Sequence, residues 1–148
     1  MDVRLKRSHI GRPGEPMFRL SKKADYGLIA LKHLAMHADA SISTREIAAQ
    51  YHIPPELLAK VLQKLARKGL LVSQHGTNGG YVLARDPARI SIVDVVEALE
   101  GPISITPCER GDGCQQLQLC SVRDPLLKVK AKVIRVLGDM SIYELAMN

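Results

Sequence analysis

Ser43-Thr-Arg-Glu-Ile-Ala-Ala-Gln-Tyr-His-Ile-Pro-Pro-Glu-Leu-Leu-Ala-Lys-Val-Leu-Gln-Lys-Leu-Ala-Arg-Lys68 decides how this chain folds. Ser43 or Thr44 can cap a helix, because a hydroxyl at that position accepts from a backbone N–H that the helix leaves unpaired. Glu46 follows Ser43 by three, the spacing of a capping box. The helix so opened is short, Arg45–Tyr51. His52-Ile-Pro-Pro is the turn, and Pro54 or Pro55 starts a second helix over Glu56–Lys68, which Gly69 stops. Leu57, Leu58, Val61, Leu62 and Leu65 are its inward positions, and Lys60, Lys64, Arg67 and Lys68 decorate the other side. A short helix, a tight turn and a second helix with a basic face form the helix-turn-helix pattern.

Working outward, Ser21 is the N-cap of a helix to about Met36, with Ala24, Leu28, Leu31, Leu34 and Ala35 at helical spacing. Asp25 lies in its first turns. His33 and His37, one turn apart, are expected as surface imidazoles. Beyond the second helix, Leu70–Gln74 and Tyr81–Ala84 flank the turn His75-Gly-Thr-Asn-Gly-Gly, a hairpin signature, and a hairpin in this place is a wing. Its glycines would let backbone approach a phosphate closely. Asp86-Pro-Ala-Arg reads as a turn, Ser91 caps a helix over Ile92–Leu99, and Gly101-Pro102 breaks it. Asp124-Pro125 begins a long helix, Leu126–Leu137, with Leu126, Leu127, Val129, Val133, Ile134, Val136 and Leu137 apolar. One solvated helix should not carry so much apolar surface, so it is expected to pair with its twin in a homodimer. Ser141 caps a closing helix, Ile142–Met147.

The fold class expected is therefore mainly α, a winged helix-turn-helix with a two-stranded wing and a long C-terminal dimerisation helix. Residues 1–16 form a flexible basic arm, 17–100 the DNA-binding domain, 101–123 a cysteine loop, and 124–148 the dimerisation helix and C-terminal segment. Met17 stands where the patterned chain begins and is an alternative translation start.

Composition agrees. Of 148 residues, 46% are hydrophobic but only 3% aromatic, so the core is built from Leu, Val, Ile and Ala, as in packed helices. Lys and Arg outnumber Asp and Glu by 21 to 15, a formal charge of +6, which suits nucleic acid first and a membrane surface second. No apolar run approaches the ~20 residues of a membrane span, and the basic arm lacks the apolar core of a secretory signal. A cytoplasmic protein is expected. No acid–base pair or nucleophile constellation has credible spacing, so an enzyme is not.

All three cysteines fall in Pro107–Arg123, as Cys108, Cys114 and Cys120, with five residues between neighbours. Free thiols or metal ligands fit an odd number better than disulfides do. Structural zinc usually has two residues between paired cysteines, so zinc stays open without being favoured. Iron–sulfur clusters accept looser spacing when another group completes the site. Redox thiols, or three thiols with no shared role, also remain open.

Here the sequence resembles the winged-helix transcription regulators of the IscR, NsrR and CymR type, from about Met17 to Ala146. The resemblance rests on Arg19-Leu-Ser-Lys-Lys-Ala-Asp-Tyr-Gly-Leu, Ile53-Pro through Lys68-Gly-Leu-Leu, Gly79-Gly-Tyr-Val-Leu-Ala, Ile90-Ser-Ile-Val-Asp-Val-Val-Glu-Ala-Leu-Glu-Gly-Pro and the cysteine spacing. CymR-like members lack the cysteines, so the resemblance favours the branch that binds an iron–sulfur cluster, with 2Fe-2S expected ahead of 4Fe-4S. It implies Cys108, Cys114 and Cys120 as ligands. Arg123 stands where IscR-like members have a ligating His and cannot replace it. Asp25 matches an Asp that in NsrR-like members is the fourth ligand, supplied by the other subunit. The DNA-facing set it implies is Ser43 and Thr44 at a helix N-terminus near phosphate, Glu56, Lys60 and Lys64 on the recognition helix, and His75, Gly76, Thr77 and Asn78 in the wing. His75 stands where Arg is common, and Ala59 where IscR has a Glu that tunes site choice. The expected protein is a homodimeric repressor-type regulator of a double-stranded operator, with no membrane or small-molecule substrate. It would sense cluster status to control iron–sulfur assembly genes. Nitric oxide or redox sensing, or a zinc or thiol regulator without a cluster, are the alternatives.

Overall fold

The computed structural model describes residues 20–104 and 121–148. Its elements are α1 (Lys22–Met36), α2 (Thr44–Tyr51), α3 (Pro55–Arg67), β1 (Leu71–Gln74), β2 (Gly80–Leu83), a 3-10 turn (Pro87–Arg89), α4 (Ile92–Glu100), α5 (Arg123–Asp139) and α6 (Ile142–Met147). This is a mainly α winged helix-turn-helix with a two-stranded antiparallel wing and a long C-terminal helix. No helix among the described residues is long and apolar enough to cross a membrane.

Serine hydroxyls set most of the helix starts. Ser21, Ser43, Ser91 and Ser141 each accept from the N–H three residues on, at Ala24, Glu46, Asp94 and Glu144. At Ser91 the Asp94 carboxylate also accepts from the Ser91 N–H at 3.0 Å, completing a capping box. Each such cap contributes about 1 kcal/mol. Helix α3 has no side-chain cap; Pro54 and Pro55 open it instead, their φ angles already fixed.

The core lies between α1, α3 and α4. Leu31, Leu58, Leu62, Leu65 and Val95 are fully buried there. Gly27 lets the helices come together: a Cβ at Gly27 would stand 2.6 Å from Leu99 Cδ1 and 3.6 Å from Val61 Cγ1. The C-terminal segment returns to this core. Ile142 N–H donates to the Ile90 carbonyl at 2.8 Å, Ile92 N–H donates to the Met140 carbonyl at 3.1 Å, and the Ile142 side chain is fully buried. Helix α5 contrasts with it. It packs along α4, yet none of its side chains is buried, and Leu127, Val129 and Val136 remain exposed.

The wing is broader than a hairpin. Its register pairs Leu71 with Leu83 and Gln74 with Gly80. Ile42, in the loop between α1 and α2, adds a third edge: its N–H donates to the Tyr81 carbonyl at 3.1 Å, and its carbonyl accepts from the Tyr81 N–H at 2.8 Å. Gly80 is required by this pairing, since a Cβ there would lie 2.4 Å from the Ile42 carbonyl carbon and oxygen. The expectation that the wing glycines serve phosphate approach is thus corrected at Gly80, whose close neighbour is protein backbone.

A second correction concerns His33. It is buried, at 5% exposure, whereas His37 is exposed. Burial is tolerated because Nδ1 of His33 and the Tyr51 hydroxyl share a hydrogen bond of 2.8 Å, with the rings edge to face. The two residues join α1 to the last residue of α2. His37 stacks at 4.4 Å and donates from Nδ1 to the His33 carbonyl.

Gly80→Ala must displace Ile42 or the wing, and is expected to lower Tm by several degrees and to unsettle the β1–β2 amide signals in NMR. A pH dependence also follows from His33. Burial, then repulsion from His37, hold it below the ordinary imidazole value, and Glu46 offsets this in part. The unfolded chain binds that proton more readily, so the stability tied to neutral His33 is intact above pH ~6.5 and declines as pH falls below it. Thermal melts from pH 7.5 to 5.5 should show a falling Tm, and His33→Gln should flatten the slope.

Candidate nucleic-acid interface and cysteine segment

Three elements carry the residues expected to face DNA. At the start of α2, Ser43 Oγ accepts from Glu46 N–H and donates to the Glu46 carboxylate, both at 3.2 Å. Ser43 is therefore the N-cap and Thr44 the first helical residue, both half-buried. The remaining first-turn N–H groups give this end the partial positive charge that attracts phosphate. The turn to α3 runs through His52, left-handed at φ 52° and ψ 41°, and through buried Ile53.

Helix α3 buries Leu58, Val61, Leu62 and Leu65. Helical spacing then places Glu56, Lys60, Gln63 and Arg67 on the opposite face, and all four are exposed. Glu56 and Lys60 were in the expected DNA-facing set; Gln63 and Arg67 complete their stripe and could have been found from the same spacing. Lys64 is placed differently. It is half-buried, and its Nζ donates to the Leu99 carbonyl at 2.7 Å, in the last turn of α4. A cation there also complements the negative helix end.

His75, Gly76, Thr77 and Asn78 form the exposed wing tip. Ser41 Oγ donates to the Asn78 carbonyl at 2.6 Å, tying that tip to the loop before α2. Sequence reading missed Ser41, because its partner lies 37 residues away. Ser41, Ser43, Glu46, Thr77 and Asn78 line one cleft between wing and helix-turn-helix. Wing tip and α2 start are thereby brought together.

Cys108, Cys114 and Cys120 lie outside the described residues. Asp25 is exposed in the first turn of α1, in a cleft it shares with Leu20, Ser21 and Lys22. The Ser21 hydroxyl bonds to the Glu100 carboxylate, so the end of α4, from which the chain runs on toward the cysteines, sits against the start of α1. Arg123 is the first residue of α5. Among the described residues, no three His, Cys, Asp or Glu side chains are grouped to hold a metal. As donors, three thiolates suit a soft metal centre.

Known proteins resemble this chain in sequence and fold. IscR of Xenorhabdus nematophila is 28% identical over 131 residues, spanning 88% of this chain and 80% of that protein. An HTH-type transcriptional regulator of Mycobacterium tuberculosis is 32% identical over 130 residues, 86% of this chain and 81% of its own length. Among solved structures, CymR, the global cysteine regulator of B. subtilis, superposes with a TM-score of 0.70 at 26% identity, covering 88% of this chain and 98% of that one. T. potens IscR gives 0.68 at 28% identity, over 91% and 88%. These are similar to a chain whose fold is that of a non-catalytic, DNA-binding regulator. Residues 20–148 match the family model described as Rrf2, iron-dependent transcriptional regulator, and the chain belongs to that family of DNA-binding transcription regulators.

Proposed function

We infer that this regulator binds its operator as a homodimer and senses iron–sulfur cluster status through Cys108, Cys114 and Cys120. The observation that carries this reading is the five-and-five cysteine spacing in a chain of this family, entered from the end of α4 beside the start of α1. Asp25, from the neighbouring subunit, is the fourth ligand proposed. The cluster, when bound, supplies a redox-active and nitric-oxide-reactive centre of the kind a sensor needs. A 2Fe-2S form and control of iron–sulfur assembly genes are the first reading, with repression as the mode.

The chain's own residues do the rest. Ser43 and Thr44 present the α2 N-terminus to phosphate, Glu56 and Lys60 face base edges, and the wing tip from His75 to Asn78 lies along the minor groove. Lys64 acts from behind, by holding α4 to the recognition helix. The dimer reading is supported by α5, where Leu127, Val129 and Val136 are exposed; fully burying one such side chain stabilises by about 1.5–3 kcal/mol. A similar fold in CymR keeps open a thiol-based regulator without a cluster.

Purified without oxygen and reconstituted with ferrous iron and sulfide, the protein should gain visible absorption with matching iron and sulfide counts. Cys114→Ser should abolish it, and loaded and apo forms should differ in operator affinity by about tenfold or more, ~1.4 kcal/mol. A colourless protein, or equal affinities, would overturn the sensor reading and leave DNA binding standing. Asp25→Ala is expected to bleach several times faster in air, with apo-protein DNA affinity unchanged; equal bleaching would remove Asp25 from the ligand set.

A further inference from the structure

A groove on the flank of α3 joins Lys60 and Arg67 of the exposed stripe to Lys23, a lysine of α1 that the interface above leaves unused. Lys23 of α1 and Lys60, Lys64 and Arg67 of α3 line it over an apolar floor that includes Leu57 and Leu99. No carboxylate lines it among the described residues. Two helices contribute, and the contact at Gly27 shows why. Gly27 lies against Val61 and Leu99, so Lys23, one turn earlier on the same face of α1, comes beside Leu57 and Lys60. Lys23, Lys60 and Arg67 are exposed, while Lys64 has its ammonium on the Leu99 carbonyl and adds its charge from below.

The position of the groove selects its ligand. The exposed stripe of α3, Glu56 with Lys60, Gln63 and Arg67, is the face a major groove would receive. The start of α2, a phosphate-binding end, lines a separate cleft with the wing tip, and none of its residues lines the basic groove. A helix seated in a major groove is bordered by a sugar–phosphate backbone on each side, about 12 Å apart. Four cations, with no carboxylate beside them among the described residues, have the electrostatics of a backbone contact.

We propose that Lys23 and Arg67, on either side of the base-facing Lys60, bind the phosphates of the strand opposite the one met by α2, so that the duplex is gripped across the major groove. This rests on the DNA-binding reading above and assigns α1 a part in it. The contact is sequence-independent, so it sets affinity and register rather than base preference.

The test uses the full-length dimer and a duplex selected by the wild-type protein from a randomised pool. Dissociation constants are measured from 50 to 300 mM KCl. Each phosphate contact contributes about 0.9 to the slope of log affinity against log salt. Lys23→Gln and Arg67→Gln should each weaken binding several-fold and reduce that slope by about one contact, and Lys23→Arg should restore it. Lys128→Gln, on α5, should leave the slope unchanged. Neutral methylphosphonates at the flanking phosphates should weaken wild-type protein but not Lys23→Gln. If wild type selects a duplex and neither substitution changes the slope, the groove proposal is overturned and DNA binding stands. If wild type binds no duplex, both fall.

Discussion

The pairing of Ile42 with Tyr81 is the constraint on which the proposed DNA-facing side depends. Two backbone hydrogen bonds, made possible by the missing side chain of Gly80, join the loop before α2 to the second wing strand. A hairpin with four-residue strands is marginal alone. Here it becomes part of a three-edged ribbon continuous with the helix-turn-helix. Ser41, next to Ile42, adds a bond to the wing tip itself. The wing is thereby tied by hydrogen bonds to Ser41 and Ile42, which directly precede the Ser43 cap of α2.

Helix α1 gives that surface its depth. Its middle packs against α3 and α4 through Gly27, and its later turns hold α2 through His33 and Tyr51. At its start, Ser21 is bonded to Glu100, where α4 ends and the chain proceeds to the cysteines. In the proposed sensor, α4 is the element that leads into the cysteine segment, and α1 is bonded to its end. Both are already packed on the recognition helix, α4 through Lys64 as well as through its apolar face. The physical content of such coupling is a small set of shared contacts, not distance.

Much of this was readable from local chemistry. Ser21, Ser43, Ser91 and Ser141 announced helix starts because a cap involves residues only three apart. The alternation of apolar and basic positions in α3 marked its buried and exposed faces, since both are set by helical period. His33 was misread for a complementary reason. Its burial depends on Tyr51, in another helix, and a histidine on an amphipathic helix shows no local sign of that partner. Lys64 was grouped with the exposed lysines, although its stem crosses the boundary between faces and its ammonium finds a carbonyl 35 residues away.

What the sequence by itself determined is the set of elements, their order and the face each helix buries. Short-range rules of capping, turn geometry and periodicity decide those, and they act within a few residues. The three cysteines and their spacing were legible as a candidate binding segment, which lies outside the described residues. Tertiary structure alone decided which loops meet. It set Ile42 against Tyr81, made Gly80 a packing residue, turned Lys64 inward and brought Lys23 beside α3. Those outcomes depend on how whole helices approach one another, and that is settled by close packing of side chains distant in the chain.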